Sequence, residues 1–139
     1  IGENCCGKST LADALHVKLG GHVVTGKDYL RMAKSPTEAA SLFQQKLQSA
    51  VNGENILYVI SEKEHLGLLP EGAIRILVTA DLATIKERFR ARMRGNLPAP
   101  VEKMLEQKHG MFDHGDYAFR FSSTQDDLDT FVQAFESAL

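Results

Sequence analysis

Within its first ten residues the chain reads Gly2-Glu3-Asn4-Cys5-Cys6-Gly7-Lys8-Ser9-Thr10, a match to G-x-x-x-x-G-K-[ST]. No other stretch constrains the backbone as strongly. The two glycines let the main chain curl until its N–H groups converge on phosphate oxygens, and the lysine and hydroxyl that follow add a cation and a metal ligand. Lys8 is therefore expected on the β- and γ-phosphates of a nucleoside triphosphate, and Ser9 on Mg²⁺. Leu11, Ala14, Leu15 and Leu19 continue at helical spacing until Gly20-Gly21. A helix thus begins where the loop ends, and its unpaired N–H groups face the same anion. Gly2, Glu3, Asn4, Cys5, Cys6, Gly7, Lys8, Ser9 and Thr10 are the candidate nucleotide-binding residues, with ATP and Mg²⁺ as the expected ligands. A chance match in a chain of this length has a probability of roughly half a percent. The competing reading is a glycine-rich turn before an ordinary helix.

A loop of this kind follows a buried strand, yet only Ile1 precedes Gly2. Two expectations follow: either the native chain is longer, or this form loses its central strand and is poorly soluble.

The 139 residues, 43% of them hydrophobic, are enough for one domain spanning 1–139 with a single core. The net charge of −2 argues against a general nucleic-acid partner, and no apolar run reaches membrane-spanning length. With no signal peptide visible, the chain reads as soluble and cytoplasmic, a monomer or homodimer. Both cysteines, Cys5 and Cys6, sit inside the loop with no third cysteine for a zinc or disulfide framework. They read as free thiols that fill the loop, with redox sensing as the alternative.

Periodicity supplies the remaining elements. His22–Thr25 reads as a strand ended by Gly26. Ser35-Pro36-Thr37-Glu38 reads as a helix start with a capping box, followed by an apolar face of Ala39, Phe43, Leu47, Ala50 and Val51 and a stop at Asn52-Gly53. Ile56–Ile60 and Ile74–Val78 are β-rich runs joined by a short helical turn around Leu66, Leu68 and Leu69. Asp81 is expected to cap a helix that turns Leu82, Ile85, Phe89 and Met93 inward, and Gly95–Pro98 breaks it. A helix near Pro100–Gly110, a strand over Tyr117–Phe121 and a last helix opened by Thr124 and Asp127, with Leu128, Phe131, Val132, Phe135 and Leu139 on one stripe, complete the chain. Helices alternating with short apolar strands predict an α/β fold with a parallel sheet.

The stretch Thr25-Gly26-Lys27-Asp28-Tyr29-Leu30-Arg31 resembles the Thr-Gly-Asp-x-Leu-Arg segment of the adenylate kinase and wider nucleoside monophosphate kinase family, with Lys27 as an insertion. Shikimate-kinase-like proteins are similar. The resemblance implies a P-loop three-layer α/β/α domain with a five-stranded parallel sheet in the order 2-3-1-4-5, counting the absent strand as the first. It also implies that Thr25, Gly26 and Arg31 lie near a phosphoryl acceptor, and the likeness to shikimate-kinase-like proteins implies that Asp28 contacts the acceptor or accepts its proton. Turn capping with a surface arginine is the plainer reading of the same residues. Five basic residues surround Glu87 between Lys86 and Arg94, and Arg88 and Arg92 share a helix face. By resemblance to small-kinase lids they would hold the migrating phosphoryl group, with a lid around 88–98; a solvated charged face is the alternative. Glu62, after the strand Ile56–Ile60, is a candidate to orient Mg²⁺ through water. The family's Gly-x-Pro-Arg segment is replaced by Lys63-Glu64-His65, which weighs against adenylate as the acceptor. His109, Asp113, His114 and Asp116 lack a shared helix face and read as loop residues rather than a metal cluster. With no Asn-Lys-x-Asp segment for guanine, a GTPase is disfavoured. The expected activity is transfer of the ATP γ-phosphoryl group to a small acceptor, a nucleoside monophosphate among the candidates. A non-catalytic ATP-binding regulator and a P-loop ATPase are the alternatives.

Overall fold

The apolar runs resolve into four short strands and five α-helices in a computed structural model describing residues 1–26, 28–51, 53 and 55–139. In chain order these are α1 (Lys8–Leu19), β1 (His22–Thr25), α2 (Pro36–Ala50), β2 (Ile56–Val59), β3 (Ile76–Thr79), α3 (Leu82–Arg92), α4 (Ala99–Lys108), β4 (Phe119–Ser122) and α5 (Leu128–Ala138). Short 3₁₀ turns cover Asp28–Met32 and Lys63–Leu68. Strands β1 and β2 pair in parallel with His22 opposite Ile56, and β3 and β4 pair in parallel with Ile76 opposite Phe119. Parallel pairing requires the crossover helices that the periodicity demands.

Ile1 and Gly2 lie between the two pairs. Gly2 N–H donates to Ile60 O at 3.1 Å, Ile1 N donates to Ile76 O at 2.8 Å, and Val78 N–H donates to Ile1 O at 2.8 Å. The start of the chain is therefore bonded both to the residue after β2 and to β3. Beside it runs an apolar cleft of about 300 Å³ walled by Leu11, Leu15, Leu57 and Ile76, among others.

The main core gathers Cys6, Leu11, Leu15, Val78, Ile85, Phe121, Val132 and Phe135. A second packed group is aromatic: Tyr29 stacks on Phe43 at 5.4 Å, and Phe43 meets Tyr58 edge-on at 4.9 Å. Phe43 is fully buried and anchors α2, contributing about 1.5–3 kcal/mol by the area its ring removes from water.

Several local expectations differ in detail. Ser35 stands at the N-cap of α2 and Asp81 at that of α3, but neither side chain makes a capping bond, so the capping box does not form. Pro36 at the helix start pre-sets φ and needs no such bond. Asp127 does what its residue type predicts, accepting from Thr130 N–H at 3.0 Å, whereas the Thr124 hydroxyl accepts from Asp81 N–H at 3.1 Å. Val51, Met93 and Leu139 are exposed because each lies at or beyond a helix end, where the stripe has turned away from the core. Lys27, and Asn52 of the expected helix stop, fall outside the described residues.

Candidate functional site

The loop is shaped by close approach. A Cβ on Gly2 would lie 2.5 Å from both Cys6 Sγ and Val78 O, so only glycine lets the chain pass there. Gly7 has φ 104°, and a Cβ there would meet Ser123 Cβ at 2.9 Å. Cys5 carries φ 61°, a left-handed conformation that non-glycine residues adopt only where their surroundings impose it. Leu11 N–H, bonded to Gly7 O, opens the ladder of α1, so the N–H groups before it have no partner within the helix.

Lys8 reaches back across the loop, donating to Glu3 O at 2.5 Å, with Cys6 Sγ at 3.8 Å. Burial lowers the pKa of its ammonium below the ordinary lysine value, the Cys6 and Cys5 thiols oppose that shift, and the nearby Arg92 charge adds to it. Burial also raises the Cys6 thiol, and the Lys8 charge counteracts part of that effect. Both cysteines are free and buried, as loop-filling residues would be.

Beside the loop lies a polar pocket of about 160 Å³. Asn4, Cys5, Gly7, Lys8, Ser9 and Thr10 form one wall, and Thr25, Gly26, Val59, Ser61 and Arg92 the other. Residues from the loop, the end of β1, the end of β2 and the end of α3 thus meet at one place. In open parallel sheets, ligands bind beyond the carboxyl ends of the strands. Of the candidate residues, Asn4, Cys5, Gly7, Lys8, Ser9, Thr10, Thr25 and Arg92 line this pocket. Gly2, Glu3 and Cys6 shape the loop from behind.

The other candidates are engaged elsewhere. The carboxylate of Asp28 accepts from Thr25 N–H at 3.0 Å and from the Thr25 hydroxyl at 2.8 Å. These two bonds hold its pKa below the ordinary aspartate value, so the turn-capping reading describes its contacts. Arg31 is exposed in the 3₁₀ turn. Arg88 donates to Cys5 O at 3.1 Å and to Ser123 Oγ at 3.0 Å and does not itself line the pocket. Glu62 follows Ser61, and one ligand atom each from Glu62, Glu64 and His65 lies within 4.8 Å of the others. His65 is buried, and its Nδ1 has no hydrogen-bond partner among the described residues.

Several contributors were not singled out as site residues in the sequence, and His109 was read there only as a loop residue. Ser61 and Ser123 are single hydroxyls in ordinary segments. His109 Nδ1 pairs with Glu3 Oε1 at 3.0 Å, and Gly110 N–H donates to Glu3 Oε2 at 2.9 Å, which ties the end of α4 to the loop. The only available signal was their position near predicted element ends. Tyr58 OH donates to Gly26 O at 2.9 Å, and burial first, with Tyr29 and Asp28 adding, raises its pKa to about 12, so it remains a neutral donor.

Among the described residues no helix is long and apolar enough to cross a membrane. No family model matches the sequence, and no curated protein matches it at the sequence level. Solved structures do. Shikimate kinase from Bacteroides thetaiotaomicron superposes with a TM-score of 0.58 at 13% identity, covering 99% of this chain and 94% of that one. Deoxyadenosine kinase from M. mycoides gives 0.57 at 16% identity, covering 99% and 95%. The YorR protein of Bacillus subtilis, solved with phosphorylated GDP, gives 0.63 at 19% identity, covering 99% and 92%. The chain has the fold of the P-loop small-molecule kinases.

Proposed function

We propose that this protein is a phosphotransferase that moves the γ-phosphoryl group of ATP to a small acceptor, with a nucleoside monophosphate among the candidates. The observation that carries the reading is the polar pocket in which Lys8 and Ser9 face Thr25, Ser61 and Arg92. Phosphoryl transfer asks little covalent chemistry of a protein and depends on positioning and on positive charge around the migrating group. Lys8 and the loop N–H groups would hold the donor phosphates. Arg92, the pocket's second cation, would balance charge on the group in transit, and Thr25 and Ser61 would bond the acceptor. Asp28 would keep Thr25 in place, and Arg31, on the exposed side of the same segment, would meet the acceptor as it arrives.

The Ser9 hydroxyl within a polar pocket fits Mg²⁺, and Glu62, one residue beyond Ser61, would orient the ion's water. Bound Mg²⁺ supplies charge neutralisation at the phosphates. The strand order 2-3-1-4-5 is part of the same proposal, with Ile1 and Gly2 in the central lane; their bonds to Ile60, Ile76 and Val78 support it. So are a single domain over 1–139, a lid around 88–98 that closes to exclude water, a cytoplasmic monomer or homodimer, and independence from nucleic acid and membranes.

The test is a screen of nucleoside monophosphates and small metabolites for acceptor-dependent ADP release. Lys8→Ala is expected to weaken ATP binding about 10- to 100-fold, since it removes a charged hydrogen-bond donor. Arg92→Ala is expected to lower kcat far more than ATP affinity, as for a group that acts in the transition state. ADP release at the same rate with and without any acceptor would make the protein a hydrolase. ATP binding without ADP release under any condition would make it a regulator.

A further inference from the structure

We infer that Arg88 and Ser123 form a clamp on the outer side of the phosphate loop and act as positioning residues that aim its N–H groups at phosphate. The inference rests on reading this loop as a phosphate site, and it gives Arg88 a different task from Arg92.

Ser123 is fixed first by the sheet. It follows the last residue of β4, and its N–H donates to Thr79 O, the end of β3, at 2.8 Å. From that position its hydroxyl donates to Cys6 O at 2.6 Å, with Thr79 O farther off at 3.2 Å. The Oγ lone pairs then remain for Arg88 Nη1 at 3.0 Å, and the same Nη1 also donates to Cys5 O at 3.1 Å. Two successive loop carbonyls are thereby held from outside by one guanidinium and one hydroxyl that are themselves bonded to each other.

The C=O and N–H of a trans peptide point in opposite directions. Holding Cys5 O and Cys6 O outward therefore turns the attached N–H groups inward: that of Cys6 donates to Glu3 O across the loop at 3.4 Å, and that of Gly7 is turned toward the loop interior. That arrangement costs backbone strain, visible as φ 61° at Cys5, and such strain persists only where neighbours over-determine it. The clamp is the neighbour that touches Cys5 and Cys6, and it has no slack: a Cβ on Gly7 would lie 2.9 Å from Ser123 Cβ and 3.7 Å from Arg88 Nη1. The Arg88 charge on Cys5 O also polarises that peptide and makes the Cys6 N–H a stronger donor to Glu3 O, which holds the turn of the loop. Arg92, one helical turn later on the same face, lines the pocket instead. Two arginines that the sequence makes look equivalent thus lie on opposite sides of the loop wall.

The experiment is an equilibrium titration of a fluorescent ATP analogue, mant-ATP with Mg²⁺, against wild type, Ser123→Ala, Ser123→Thr, Arg88→Ala and the Ser123→Ala/Arg88→Ala double variant. The thermal midpoint of each free protein is measured alongside. Each alanine variant is expected to bind roughly tenfold more weakly, the scale of one hydrogen bond to a charged or strongly polarised group. The double variant is expected to lose no more than the weaker single, because the residues act as one unit. Ser123→Thr, which keeps the hydroxyl, is expected to bind within about twofold of wild type. A lower midpoint with unchanged affinity, losses that simply add, or equal losses in Ser123→Thr and Ser123→Ala would each overturn the clamp while leaving the nucleotide reading intact. A wild-type protein that binds no mant-ATP would instead sink that reading, and the clamp with it.

Discussion

The two walls of the pocket are built by opposite means. The phosphate-loop wall is held by polar contacts from several directions: Lys8 within the loop, Arg88 and Ser123 on its outer side, and His109 and Gly110 on Glu3. The facing side, at Thr25 and the 3₁₀ turn Asp28–Met32, rests on aromatic packing, with Tyr29 on Phe43 and Phe43 on Tyr58, and Thr25, Asp28 and Arg31 are exposed. A loop that aims backbone dipoles needs every carbonyl fixed, because a small rotation misdirects the donor attached to it. A wall that offers side chains to an arriving acceptor needs only a stable platform beneath them. The contrast fits the proposed function, in which one invariant phosphate donor meets a variable small acceptor.

The strongest way to break this comparison is to remove the platform. Phe43→Ala is expected to destabilise the protein by about 3–5 kcal/mol, read as a lower urea midpoint, because the cavity cannot collapse under two rings that lean on it. A loss below about 1 kcal/mol would show that the aromatic group does not carry the facing wall. On the loop side the same kind of test adds one methyl. Gly2→Ala, with its Cβ driven against Cys6 Sγ and Val78 O, is expected to cost about 1–3 kcal/mol and to weaken mant-ATP binding together with stability. Affinity that survives this change would mean that the loop tolerates displacement, contrary to the contrast drawn above.

The smallest effect separates the rim from both supports. The lowered pKa of Asp28 means that the folded state favours its carboxylate, so its contribution is fully present above the ordinary value of 3.8 and is lost as pH falls through the lower folded value. Asp28→Asn is therefore expected to flatten that acid limb of the melting profile slightly while leaving the neutral-pH midpoint close to wild type. Because the carboxylate is fully exposed, a large midpoint loss at neutral pH would show it to be part of the structural platform rather than the rim.

Much of the molecule was legible as sequence. The loop, α1 with its stop at Gly20, strand β1, the turn after Ile60 and the alternation that demands parallel pairing all follow from patterns a few residues long. Lys8, Ser9, Thr25 and Arg92, each marked in the sequence by a motif or an element end, line one pocket. The expected caps at Ser35 and Asp81 did not form, since propensity names the residue at a helix start without settling where its side chain turns.

What the sequence by itself determined is therefore local: backbone geometry at Gly2 and Gly7, helical and strand periods, and the chemistry of a lysine and a hydroxyl placed after a glycine-rich loop. What only the tertiary structure decided is which distant groups meet. Arg88 reaches Ser123 across 35 positions, and Glu3 reaches His109 across 106. The two arginines of α3 are alike in type and share one helix face, yet one lines the pocket and the other bonds the loop from outside. Covalent spacing sets which face a residue occupies, and only the packing of that face against other parts of the chain sets what it touches.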